Sequence, residues 1–311
     1  MRTSRINEST EDIDQLENQW WNDNSELIEK IWAHTYSLQK CIRYPYLKKA
    51  KTFLLGDGGK KTIWEVGCGT GWVCRMIADK DLNVVGTDFA KAQIDTATRL
   101  AVAFNKQSFC KYEVSDASSV IEGHDGIVIS ALLHHLTKVE LEGFFKVMAA
   151  QRKGVKLFLY EPVFIQSTSD SGKVSATIVK TAIKIFNKVT SSLVKTMGSE
   201  NKVLMEQANT IFNQAEVNGW FISPKEIPFY EDELNGYLDP LFTVNDKYFV
   251  NSTDFMLAQS LVLNNMENPP FIFTKVLLPI ATFLDRSFFK TNFRSISKGQ
   301  YFFCCYELTK K

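Results

Sequence analysis

Between residues 62 and 162 five short apolar runs alternate with segments of helical pattern, and that alternation restricts the fold more than any other feature of the chain. The runs are TIWEV (62–66), LNVVGTD (82–88), SFCKYEV (108–114), HDGIVIS (124–130) and GVKLFLYEP (154–162). Each has the length and β-branched or aromatic content of a buried strand. Helices are expected over 71–80, 90–105 and 137–150, the last opening with Thr137 three residues before Glu140, the spacing of a capping box. Alternation of this kind predicts a parallel sheet with helices on both faces and right-handed crossovers. Its ligands are expected at the carboxyl ends of the strands, where the strand order reverses.

Three segments lie outside this unit. Residues 8–55 have a helical, aromatic-rich pattern that includes NQWWNDN and KIWAHTY. Residues 165–240 hold a long helical stretch and then a proline-broken loop. PLFTVNDKYFV (240–250) and KGQYFFCCYEL (298–308) read as two more strands, separated by an apolar helical insertion at 253–290. The expected architecture is therefore a doubly wound, mostly parallel, seven-stranded α/β sheet carrying helical additions. No internal repeat or low-complexity linker divides the chain.

A length of 311 residues is ample for a large core, and a composition 45% hydrophobic and 23% charged is that of an ordinary globular protein. The formal net charge of +1 gives no global field to draw nucleic acid, and no nucleic-acid partner is expected. The six cysteines form no CxxC pair and no zinc spacing, so they are read as small apolar core residues and no metal is expected. MRTSRINESTEDIDQ lacks the apolar stretch of a signal peptide, and a cytoplasmic setting is expected. The longest apolar stretch, FIFTKVLLPIATFL (271–284), is interrupted by a lysine and a proline and is too short to span a membrane.

IWEVGCGTGWV (63–73) ends the first strand with glycines at 67, 69 and 71. Glycine there allows a sharp turn and a close approach of backbone to a ligand. A dinucleotide fingerprint would need glycine at 72, where this chain has Trp72. Glu65 argues the same way: a carboxylate beside a phosphate repels it, whereas beside an ammonium or sulfonium it attracts. Asp88 closes the second strand 19 residues after Gly69, a spacing suited to ribose hydroxyls. Asp116, in SDA after the third strand, is placed either to accept from an adenine amino group or to cap a helix.

EVGCGTGW, GTDFA, SDA and ISALLHHL, in that order over about residues 60–164, resemble the class I S-adenosylmethionine-dependent methyltransferases. The resemblance implies S-adenosyl-L-methionine as cofactor. Glu65 would lie near its methionine amino group, and Gly67, Cys68, Gly69, Thr70 and Gly71 beneath it. Asp88 and Phe89 would lie at the ribose, Asp116 and Ala117 at the adenine, and Ser130 at the end of the fourth strand. It also implies that residues 1–60 form a helical lid, with Arg43 on the cofactor carboxylate. The remaining divisions are a core at 61–164, a cap insertion at 165–240 and the last two strands at 241–311.

Methyl transfer to an oxygen needs alignment and a base for the hydroxyl proton. His135, and after it His134, are the candidates, since LLHHL ends the fourth strand facing the cleft; the alternative for His135 is packing beneath the cofactor. Glu161, closing the fifth strand, either orients a sugar hydroxyl or caps a helix start. Trp20 and Trp21 either wall the acceptor or fill the core. The expected activity is O-methylation of a small or saccharide acceptor, with quinone or natural-product methylation and a non-catalytic cofactor-binding subunit as alternatives. Lysines 173, 180, 184, 188, 195 and 202 fall within roughly 80° on a helix. That basic face is either solvated or set against an anionic membrane surface or a phosphate-bearing acceptor, and with the 253–290 insertion it raises a lipid-linked acceptor.

Overall fold

The computed structural model describes residues 11–34, 36–119, 122–164, 223–250, 276 and 301–311, with backbone alone for 31–34, 36–45, 164, 249–250 and 301–302. The lysine-bearing segment 173–202 and nearly all of the 253–290 insertion lie outside the described residues, and so do the membrane contact and lipid link read from them. Among the described residues no helix is long and apolar enough to cross a membrane.

Two helices, α1 (Glu11–His34) and α2 (Tyr36–Leu55), precede the sheet, in line with the helical pattern over 8–55. The alternating unit follows as β1 (Lys61–Val66), α3 (Trp72–Ile77), β2 (Leu82–Asp88), α4 (Lys91–Ala103), β3 (Cys110–Val114), β4 (Gly126–Ser130), α5 (Lys138–Ala150) and β5 (Lys156–Phe164). A short 3-10 turn, Leu133–His135, separates β4 from α5. β6 (Phe229–Tyr230), α6 (Glu231–Leu238), β7 (Phe242–Val250) and β8 (Tyr301–Lys310) complete the described elements. Strand order is β3-β2-β1-β4-β5-β8-β7, and β3 to β5 are parallel throughout. β8 runs antiparallel between β5 and β7. The seven expected strands are all present. An eighth, the two-residue β6, extends the sheet beside Val163 and Phe164, too short to leave a period-2 signal in the sequence.

Burial on both faces explains the unbroken apolar strands. Along β1, Ile63 packs with Leu47, Ala50 and Leu54 of α2 and Ile77 of α3, whereas Trp64 and Val66 pack with Leu141, Phe144 and Met148 of α5. The same division separates Val128 from Ile127 and Ile129, and Phe158 from Leu157 and Leu159. Trp64 is fully buried and its indole N–H donates to Thr87 Oγ1 at 2.9 Å, joining β1 to β2. The cap on α5 forms as expected: Thr137 Oγ1 accepts from the Glu140 amide, and Glu140 Oε2 accepts from the Thr137 amide at 2.7 Å. The described cysteines, Cys68, Cys74, Cys110, Cys304 and Cys305, are buried free thiols.

Gly86 of β2 is a packing glycine. A Cβ there would lie 2.8 Å from Cys74 Sγ and 2.9 Å from both Cys68 Sγ and Tyr112 Cδ1. Gly143 of α5 has nothing nearer than Ser118 Cβ at 4.0 Å. Gly86→Ala should therefore lower the unfolding free energy in urea by about 1–3 kcal/mol through overpacking. Gly143→Ala should raise it by about 0.5–1 kcal/mol through helix propensity. Equal effects at the two positions would contradict this packing.

Candidate active site

Where β1 ends, Gly67, Gly69 and Gly71 take φ values of 66°, 53° and 72°, the left-handed region that side chains avoid. The turn is tied to the end of β2 through Asp88. Its Oδ2 accepts from the Gly69 amide at 2.9 Å and its Oδ1 from the Ala90 amide at 3.0 Å. Burial pushes the Asp88 carboxyl up, against the pull of these backbone donors.

Beside the turn a cavity of about 560 Å³ opens along the carboxyl ends of β1, β2, β3 and β4. This lies within the usual range of small-molecule sites. One part of its wall is Gly67, Asp88, Phe89, Ser115, Asp116 and Ala117; another includes His135, Leu136, Glu140 and Lys225. Glu11, Asp14 and Glu17 of α1 also line it. Asp116 Oδ1 accepts from the amide of Ser118 at 2.7 Å, so it closes a local turn while facing the cavity. Ser130 ends β4 opposite Tyr160, outside the described wall.

Glu65, expected beside a positively charged ligand, lies behind the turn and not on the cavity wall. It is 1% exposed and accepts from Cys74 Sγ at 2.6 Å. Burial pushes its carboxyl up to about 8 despite that bond, so near neutral pH it is an uncharged acid. Cys68 and Thr70 are also buried. The Thr70 hydroxyl donates to Glu29 of α1 at 2.6 Å, Arg75 pairs with Glu29 at 3.4 Å, and the Arg75 guanidinium also donates to the Thr70 carbonyl. The Arg43 side chain lies outside the described residues.

Helix α1 thus clasps the turn at one end and α4 along its middle. Asn22 accepts from the Ala92 amide at 3.0 Å, and Gln93 donates to the Trp21 carbonyl at 3.3 Å. Trp20 is buried, and Trp21 meets its edge at 4.7 Å and the His135 ring at 5.4 Å. Glu17, 3% exposed, accepts from Trp21 Nε1 at 2.8 Å, Ser223 Oγ at 2.9 Å and the Lys225 amide at 2.9 Å. His135 Nδ1 lies 3.2 Å from Glu17 Oε1 and 3.1 Å from Ser223 Oγ. Burial opposes a charge on His135, but the Glu17 bond and charge outweigh it and hold its pKa above the ordinary histidine value. No sequence signal marks Glu17, one of several acids on an exposed-looking helix.

His134 is buried and turned away from the cavity, its Nδ1 2.7 Å from Glu161 Oε2. Glu161, fully buried, also accepts from the Leu132 and Leu133 amides at 2.7 Å each, which makes it the cap of the 3-10 turn.

Residues 63–153 match a family model described as a methyltransferase domain. A geranyl diphosphate methyltransferase solved with geranyl diphosphate and sinefungin superposes with a TM-score of 0.50 at 9% identity, covering 86% of this chain and 78% of that one. An S-adenosylmethionine-dependent methyltransferase from Geobacter sulfurreducens, solved with S-adenosylhomocysteine, gives 0.47 at 12% identity, covering 87% and 92%. Residues 63–153 thus match a methyltransferase domain, and the chain shares the Rossmann-like fold of the geranyl diphosphate methyltransferase. A glycine turn at positive φ beside a cavity of this size fits S-adenosylmethionine as the methyl donor.

Glu65 gives the domain a pH signature. The folded chain keeps a proton that the unfolded chain releases above about 4.5, so this group favours folding at low pH and costs stability as pH climbs from about 4.5 to about 8. Glu65→Gln should flatten that decline by on the order of a few kcal/mol. Urea midpoints at pH 5 and pH 8 measure it, and parallel declines in both proteins would show that Glu65 does not hold the proton.

Proposed function

We propose that this protein transfers the methyl group of S-adenosylmethionine to a hydroxyl of a small, uncharged, polyhydroxylated acceptor of saccharide type. The observation that carries this reading is the charge of the cavity wall. Six carboxylates line it: Glu11, Asp14, Glu17, Asp88, Asp116 and Glu140. The one lysine or arginine among the described lining residues, Lys225, already bonds Asp14 at 2.8 Å and Glu140 at 2.7 Å. Such a wall repels a phosphate and offers acceptors to hydroxyl groups. The acceptor class thus differs from the geranyl diphosphate held by the structural relative.

In this reading Gly67, Gly69 and Gly71 give the donor its backbone cradle, with Cys68 and Thr70 shaping the turn from beneath. Asp88 and Phe89 take the ribose, and Asp116 and Ala117 the adenine. Ser130, Glu65 and Arg43 complete the set without a role drawn from the cavity geometry. The donor supplies a methyl group on a sulfonium. His135, on the wall and seated against Trp21, is the group that handles the acceptor hydroxyl, and His134 with Glu161 fixes the turn that presents it. A quinone or natural-product acceptor is the second reading, favoured by the Trp21 ring standing edge-on over His135.

Asp88→Ala should weaken S-adenosylhomocysteine binding by about 1–3 kcal/mol in calorimetry; unchanged affinity would remove Asp88 from the site. His135→Ala should slow S-adenosylhomocysteine release by about 100-fold with a hydroxylated acceptor while leaving donor binding intact. Labelled-methyl transfer to glycan and to quinone pools distinguishes the two acceptor readings. A chain that binds the donor and transfers to neither would be a silent binding subunit.

A further inference from the structure

The two histidines of the 3-10 turn have a third neighbour that their own segment does not contain. Glu226, from the stretch leading into β6, brings Oε1 to 3.7 Å from His134 Nε2. One ring nitrogen of each histidine and one Glu226 oxygen lie within 4.8 Å of one another. The Glu226 and His134 side chains are 7% and 5% exposed. The Ile227 amide donates to the His134 carbonyl at 2.8 Å, which pins Glu226 to the turn.

The outer partners of these rings argue for a purpose. His134 Nδ1 is engaged by Glu161 Oε2 at 2.7 Å, and His135 Nδ1 by Glu17 Oε1 at 3.2 Å and Ser223 Oγ at 3.1 Å. Each imidazole is thus backed by a buried carboxylate at Nδ1, which selects the tautomer with a free lone pair on Nε2. Carboxylates behind histidines in this way are the common outer shell of metal-bound imidazoles. Two imidazoles and a carboxylate, one of the imidazoles (His135) on the cavity wall, form a donor set favoured by divalent first-row transition ions.

We propose that His134, His135 and Glu226 bind one divalent transition-metal ion, with Glu161 and Glu17 orienting the two rings. The inference rests on the reading that an acceptor hydroxyl meets His135, and it deepens that reading. The ion would take the hydroxyl oxygen into an open coordination position, lower its pKa and release its proton to water. The oxygen lone pair then forms the new O–CH₃ bond as the S–CH₃ bond breaks, and its electron pair stays on sulfur. Sequence spacing could not reveal the set, because Glu226 follows His135 by 91 residues.

The test uses the untagged full chain, stripped with a chelator and titrated with Co²⁺ under visible absorption and with Zn²⁺ in equilibrium dialysis. One equivalent should bind, with cobalt ligand-field bands that shift when a hydroxylated acceptor is added. Glu226→Gln should weaken Co²⁺ binding at least 10-fold, and Glu161→Gln, which leaves all three ligands in place, about 10-fold or more. Asp125→Asn, on a surface loop, should bind as wild type, and thermal melts confirm that each variant is folded. Stoichiometric binding lost in both glutamate variants supports the site. Wild-type binding no tighter than in folded Glu226→Gln overturns it, as does methyl transfer at an unchanged rate in the stripped protein. In that last case the methyltransferase reading stands alone. Bound metal with no methyl transfer to any acceptor would keep the metal site and remove the activity.

Discussion

The arrangement of this site depends on one carboxylate at the end of β2. Asp88 receives amide protons from Gly69 on the neighbouring turn and from Ala90 at the head of α4. It therefore ties together the two chain reversals that flank the carboxyl edge of the sheet. Without it the glycine turn would keep its left-handed dihedrals but lose its attachment to the next strand, and buried amides would have no acceptor. Where Asp88 stands, the cavity wall begins.

A second group of buried carboxylates has a different task. Glu29 engages Thr70 and Arg75, Glu17 engages His135, Ser223 and Lys225, and Glu161 engages His134 and two amides of the 3-10 turn. Each is almost fully enclosed, and each joins elements distant in sequence. Hydrogen-bonded charges of this kind add little net stability but strongly select one packing over others, because a misplaced partner strands a charge in the interior. The chain holds its site in place mainly by this means.

Much of the sheet was legible in the sequence because both of its faces are buried. Residues 82–88 begin and end as the pattern predicts, and the other parallel strands differ by one or two residues. The capping box at Thr137 is local chemistry and was equally plain. The surroundings of Glu65 were not legible for a physical reason: polarity within a motif says that a group is special, but not whether it faces ligand or core. β1 directs this side chain into the interior, against Cys74. Glu17 and Glu226 were invisible because their importance comes from contacts with residues far away in sequence, which leave no periodic trace.

That separation in sequence has a consequence for how the protein is made. The turn, Asp88 and Asp116 all lie between residues 67 and 116, and short-range closure is fast. The opposite wall needs Glu17 to meet Ser223 and Lys225, contacts spanning 206 and 208 residues. A nascent chain leaving the ribosome can thus shape the glycine-turn side early, while the histidine side waits for another hundred residues to be synthesised. Until then Glu17 of α1 lacks the Ser223 hydroxyl and Lys225 amide that it meets in the folded chain.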